Sequence, residues 1–443
     1  MKNFAKLATA AMSISALALV ATSADAQSRR NRDRAPAAEA PATPPVSREF
    51  AAAYTPLQTQ LSASAWAAAD PLLAAAQAAA VNPYEKYLVA RADYLIATGL
   101  NNQPRRSTAA TAMIDSGGIT PSEQRAIYSL GSQLAYGDDN YAVAAARAKR
   151  ALELGSAEDS IRVIAVDALV RSGQLEPAIA EARGQIASAQ SSGSRVPELV
   201  YTQLAAGLQE AGRDADVLDW LTQRYQAYPT VANLRNNALI FLNSLPSGMD
   251  GAVERSISID TLRLLSASGA MSERRFYVEY VTSLAEDALP NEVLTAIAAG
   301  RGSSLIPASG SDSTFDELER TATDNVGEDR TSLGGSESRA VRDVNARLAT
   351  RVANAYYAYE NFAKAEVLLT LALTKAEADA DLINLRLGQA RFRQGNAAGA
   401  LEALGQVQGL RAPLAKLWSA YVATTVAAAP AAPAASPTAP AGM

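Results

Sequence analysis

Small residues return at a fixed interval in this chain. Ala144 and Ala178 lie 34 residues apart, and Ala365 and Ala400 lie 35 apart. Each follows a turn signal by about five residues and begins an i, i+4, i+7 series on one helical face. The segments are "DDNYAVAAARAKRAL" (138–152), "GQLEPAIAEARGQI" (173–186), "ENFAKAEVLLTLAL" (360–373) and "GNAAGALEALGQV" (395–407). A second helical pattern precedes each turn and carries its own small residue about twelve positions earlier. In "LGQARFRQGNAAGALEAL" (387–404) these are Gly388 before the Gln-Gly-Asn break and Ala400 after it. Antiparallel helices that face each other through Gly and Ala approach more closely than the usual ~8–10 Å. The chain is therefore read as one helical hairpin, repeated and stacked.

Composition agrees with this reading. Of 443 residues 49% are hydrophobic, with alanine prominent, and only 6% are aromatic. Alanine has the best helix propensity, and strand signals are nearly absent, so the expected class is all-α. Residues 230–300 contain helical patterns such as "VANLRNNALIFLNSL" and "RRFYVEYVTSLAEDAL", read as divergent pairs that continue the stack.

The first 26 residues read as an export signal: Lys2 and Lys6, an apolar run, then Ala24-Asp25-Ala26 as the cleavage signature, with cleavage after Ala26. The arginine pair at 29–30 follows the apolar run, where a twin-arginine signal would need it earlier, so the general secretory route and a periplasmic location are expected. The chain has no cysteine, which excludes disulfides and lipidation at a cleavage-site cysteine. The mature chain would carry a net charge of −6 and no transmembrane span, and its arginine pairs at 105–106 and 274–275 are isolated, which excludes nucleic acid as a partner.

Residues 27–46, rich in Arg, Pro and Ala, read as a disordered tether, and 425–443 as a Pro/Ala-rich disordered tail. Arg29, Arg30, Arg32 and Arg34 make the tether basic, either as a solvated tail or as a weak grip on an anionic envelope surface. Residues 301–340 are dominated by Ser, Gly, Asp and Thr and read as a long polar internal loop, with a short helix over Asp316–Arg320. That loop divides an N-terminal helical array (47–300) from C-terminal repeats (341–424).

The hairpins resemble the tetratricopeptide repeat, a helix-turn-helix of about 34 residues with Leu-Gly-x-x-Tyr in its first helix and Ala, Phe and Ala in its second. Leu387, Gly388, Ala400, Leu404 and Val407 match in one unit, and Ala353, Tyr356, Phe362, Ala365, Leu369 and Ala372 in the unit before it. Gly131 with Ala144, Ala148 and Ala151, Leu169 with Ala178 and Ala182, and Ala205 with Leu208, Val217, Leu221 and Pro229 mark earlier units. The resemblance implies an α-solenoid whose first helices line a groove for protein or peptide partners. Carried over unit by unit, the groove residues are Tyr128, Tyr136, Asp167, Arg171, Gln209, Glu210, Asn354, Tyr357, Gln389, Phe392 and Arg393. Asn354 also matches one place of the family's carboxylate clamp, but Thr350 stands where a clamp lysine belongs.

Catalytic chemistry is restricted. The absence of histidine excludes Ser-His-Asp and Cys-His catalysis and histidine metal sites. The acidic runs "GDDN" (137–140) and "EADADL" (377–382) lack calcium-loop spacing, and "GRGSS" (300–304) lacks the context of a phosphate cradle, so no metal or cofactor is expected. The one enzyme-like signal is Glu337-Ser338, which resembles the catalytic glutamate-serine pair of murein-cleaving transglycosylases. The expected function is an exported, non-enzymatic adaptor or scaffold that binds cell-envelope proteins. The alternative is a peptidoglycan-directed enzyme or accessory, and the groove could also serve packing against a second copy.

Overall fold

In the computed structural model the described residues run from 44 to 428, so the export signal, nearly all of the tether and most of the tail lie outside them. Among the described residues the chain is helical throughout, apart from turns and an isolated bridge between Asn345 and Ala376. The described residues divide into two compact units, one ending at Gly207 and the other beginning at Leu208.

In the first unit, α1 (Arg48–Ser62) packs on two short helices, α2 (Trp66–Ala69) and α3 (Leu73–Ala79). Three hairpins follow: α4 (Pro83–Gly99) with α5 (Gln103–Asp115), α6 (Pro121–Gly137) with α7 (Tyr141–Glu153), and α8 (Asp159–Arg171) with α9 (Leu175–Ser191). α10 (Glu198–Glu210) runs through the division. The start of the array is tied down by Glu85, which is fully buried. Its carboxylate accepts from the backbone amides of Ser47, Val81 and Asn82, and the Asn82 side chain in turn accepts from Glu85 N. This reciprocal cap satisfies donors that the start of α4 would otherwise leave orphaned.

The second unit contains α11 (Asp214–Ala227), α12 (Val231–Asn243), α13 (Gly251–Ala267), α14 (Arg274–Glu286), α15 (Pro290–Gly302), α16 (Ser313–Arg342), α17 (Ala346–Ala358), α18 (Phe362–Ala372), α19 (Ala380–Arg393), α20 (Ala397–Leu404) and α21 (Ala412–Ala428). The stretch 230–300 forms α12 to α15, so its divergent sequence still folds as helical pairs. The family-like hairpins are α17 with α18 and α19 with α20. Gly388 is a true contact point: a Cβ there would lie 2.5 Å from Leu404 Cγ and 3.2 Å from the Ala400 carbonyl oxygen. The same left-handed turn residue recurs between paired helices, as Asp139 (φ 58°), Gly173 (φ 76°), Glu360 (φ 59°) and Gly395 (φ 78°). One conformation at equivalent positions is the local signature of a repeated helical hairpin.

One sequence expectation is corrected. Residues 301–340 do not form a polar loop; most of them make the 30-residue helix α16. Its buried residues Phe315, Ala322, Leu333 and Ala340 are spaced by about two or three helical turns and form one apolar stripe. The stripe packs against α15 and α17, and burial there offsets the poor helix propensity of three glycines. Polar ties add to it: Arg301 pairs with Asp316 and Glu319, and Tyr359 donates to Asp329. At the far end, residues 425–428 belong to α21 rather than to a tail.

The second unit is closed on itself. α21 packs against α11 and α12, with Lys416 paired to Asp219 at 2.7 Å and the Tyr421 hydroxyl donating to the Ala267 carbonyl at 2.7 Å.

Candidate partner-binding surface

The groove residues expected from the sequence meet different fates in the two units. In the first, α6 supplies Tyr128 and Tyr136 and α8 supplies Asp167 and Arg171. Tyr128 is half-buried against an alanine-lined core that includes Ala135, Ala144 and Ala148. Tyr136, Asp167 and Arg171 come together. The Tyr136 hydroxyl donates to the Asp167 carboxylate, and Arg171 Nε donates to the same carboxylate at 2.7 Å. The Arg171 guanidinium lies 5.7 Å from the Tyr136 ring centroid and 5.5 Å from that of Tyr141, which opens α7. Desolvation and the neighbouring Asp167 carboxylate raise the Tyr136 pKa, so its phenol stays protonated. Asp167 is buried, whereas the Arg171 side chain is 38% exposed. The result is a partly exposed guanidinium fixed by the Asp167 carboxylate and set against two rings that themselves meet edge-on at 5.5 Å. Such preorganised Arg and Tyr side chains are the kind that dominate binding interfaces. Gln209 and Glu210, at the end of α10 and just past the division, are exposed and belong to the second unit.

In the second unit the corresponding positions are turned inward. Gln389 is fully buried, with its Nε2 3.4 Å from Asp260 Oδ1 on α13. Tyr357 is buried beneath Arg263, whose guanidinium lies 4.3 Å from the ring centroid. Asn354 is buried and its Nδ2 is directed at Asp287 Oδ2, 3.4 Å away. Phe392 packs edge-on against Trp418 and Tyr421 of α21. Arg393 alone is exposed, over the Phe362 ring and 3.4 Å from Glu360. Three of these five residues are buried and a fourth, Phe392, is partly buried against α21, so the chain uses four of them for its own closure. Thr350 returns its hydroxyl to the Ala346 carbonyl at 3.0 Å, which leaves no clamp.

Sequence reasoning missed what fills that interior. Arg263 forms a paired contact with Glu292 at 2.8 and 2.6 Å, and the Tyr280 hydroxyl adds a third bond to Glu292. Burial alone would raise the Glu292 pKa, but the Arg263 charge and these bonds outweigh it and hold the carboxylate ionised. Asp260 accepts from Arg386 and Gln389, and its backbone oxygen accepts from Trp418 Nε1 at 3.2 Å. The only sequence signal was Asp260 and Arg263 amid the apolar residues of "SISIDTLRLL" (256–265), a pattern that requires paired burial.

Glu337 lies on α16, where Lys364 Nζ donates to it at 2.7 Å and the Tyr356 hydroxyl also donates to it. The Lys364 bond foremost holds its pKa below the ordinary carboxylate value, opposite to what a general acid requires. The acidic runs act as helix starts and turns: Asp379 caps Leu382 N, and Asp381 accepts from Gln408 N. Among the described residues no cluster of three or more metal-ligating side chains occurs, and no helix is long and apolar enough to cross a membrane.

No protein-family model matches the chain, and no curated protein matches it in sequence. Among solved structures it is similar to a chain of Naa15/Naa10 bound to HypK-THB, at 14% identity and TM-score 0.39, covering 86% of this chain and 60% of that one. It is also similar to the TPR domain of P58(IPK), at 11% identity and TM-score 0.20, covering 77% and 99%. A third is yeast Tom70, at 10% identity and TM-score 0.19, covering 85% and 96%. The chain spans about 60% of the length of the first of these.

Proposed function

We propose that this protein is a non-enzymatic repeat scaffold that binds partner proteins in the bacterial cell envelope, using the first-helix face of its first unit. The observation that carries this reading is the assembly of Tyr136, Asp167, Arg171 and Tyr141 from three helices into a preorganised patch that presents Arg171 and the flanks of two tyrosines to solvent. The envelope location rests on the first 26 residues, whose charged start, apolar run and Ala-Asp-Ala signature fit secretory export. The lowered pKa of Glu337 argues against the murein-cleaving alternative.

Two measurements test the reading. Protein recovered from the periplasm should begin at Gln27, and retention of Met1 in the cytoplasm would refute export. Purified protein incubated with envelope extract should retain a defined protein that Arg171→Gln loses while the variant stays folded by circular dichroism. Release of soluble muropeptides from purified murein, abolished by Glu337→Gln, would overturn the scaffold reading.

A further inference from the structure

We infer that α11 and α12 form a second site, one that takes a neutral, extended peptide segment of a protein partner and reads it through its backbone. A cavity of about 250 Å³ opens between these helices, walled by Leu221, Leu239 and Ile240, with Asn236, Asn237 and Asn243 along it. This is smaller than the ~300–1,000 Å³ of ordinary small-molecule pockets, so it suits part of a chain rather than a cofactor.

Asn237 defines the chemistry. It is almost wholly buried, and its Nδ2 donates to the Leu221 carbonyl at 2.7 Å, while its Oδ1 has no hydrogen-bond partner. A buried carboxamide oxygen without a donor carries a desolvation cost that a bound N–H relieves. The orphaned acceptor calls for a donor, which an ionised carboxylate lacks, and Arg224 on the cavity wall disfavours a cationic one, so the occupant is a neutral donor. Asn236 and Asn243 are exposed, seven residues apart on one helix, which places them about 10 Å apart along its axis. That is about three residues of extended chain at ~3.3 Å each. A carboxamide offers both a donor and an acceptor and so complements a peptide unit, whose N–H and C=O are free in an extended segment but consumed within a helix.

This inference rests on the protein-binding reading and adds a location and a chemistry to it. The test is to pan a linear peptide library against the full mature chain and measure the affinity of enriched peptides by fluorescence polarisation. Asn236→Ala/Asn243→Ala, which alters two exposed side chains, should weaken binding by about tenfold or more, the worth of one or two neutral hydrogen bonds. Methylating single backbone nitrogens of the peptide should do the same, and Arg171→Gln should have no effect. Unchanged affinity in the asparagine variant, insensitivity to N-methylation, or the absence of any enriched peptide would overturn the site. Peptides lost in Arg171→Gln but kept in the asparagine variant would overturn it while leaving the scaffold reading intact.

Discussion

Arg386 Nε lies 3.2 Å from Asp260 Oδ1, although 126 residues separate them in the chain. Both side chains are buried, and the contact joins α13 to α19 across the interior of the second unit. An interior held by paired charges resists being opened, because each charge would be left alone in a poorly solvated place.

Asp260→Asn should therefore destabilise the second unit by about 3–5 kcal/mol, since it leaves Arg386 without its counter-charge. Urea unfolding checks this. Arg386→Met added to Asp260→Asn should recover part of the loss, and strict additivity of the two changes would show that the pair is uncoupled.

Gly388→Ala should cost about 1–3 kcal/mol, because its Cβ would intrude on Leu404 Cγ at 2.5 Å. Leu404→Ala made in the Gly388→Ala background should cost less than Leu404→Ala alone, as read from thermal melts.

Glu360 occupies the left-handed conformation that Gly395 occupies one hairpin later. Glu360→Gly should stabilise the protein by about 1 kcal/mol, the strain of one side chain in that region less the added freedom of the unfolded glycine. A lowered melting temperature would show that the exposed pair with Arg393 is worth more than the strain.

Stability should fall in acid partly through Glu85. Burial pushes its pKa up, but the amides of Ser47, Val81 and Asn82 outweigh burial and hold it below the ordinary value of 4.5. A depressed folded pKa contributes stability that is present in full above the unfolded pKa and lost as pH falls through the folded one. The melting-temperature gap between wild type and Glu85→Gln should accordingly be constant near neutrality and shrink below about pH 4.5.

The hairpins were legible because their contacts are local. Gly388 and Ala400 meet across one turn, and a spacing in the sequence reports that meeting directly. The Tyr136, Asp167 and Arg171 patch was legible for a related reason, since its residues come from adjacent units and the repeat phase aligns them. α16 was obscured because four buried residues among thirty suffice to dock a helix onto neighbours that are already in place, whereas composition reports only the average. The inward turn of Tyr357 and Gln389 had no local signal. It follows from closure of the second unit by Asp260, Arg386 and α21, and such long-range contacts leave no periodic trace.

The proposed docking of partners on the first-helix face of the first unit can be tested inside the cell. Site-specific photocrosslinking would place a benzoylphenylalanine at Tyr128 on that face and another at the exposed Arg351 of α17 as the comparison. Position 128 should give a discrete protein adduct that Arg171→Gln abolishes, and position 351 none. An adduct from 351 alone, or one from 128 that survives Arg171→Gln, would contradict the proposed docking.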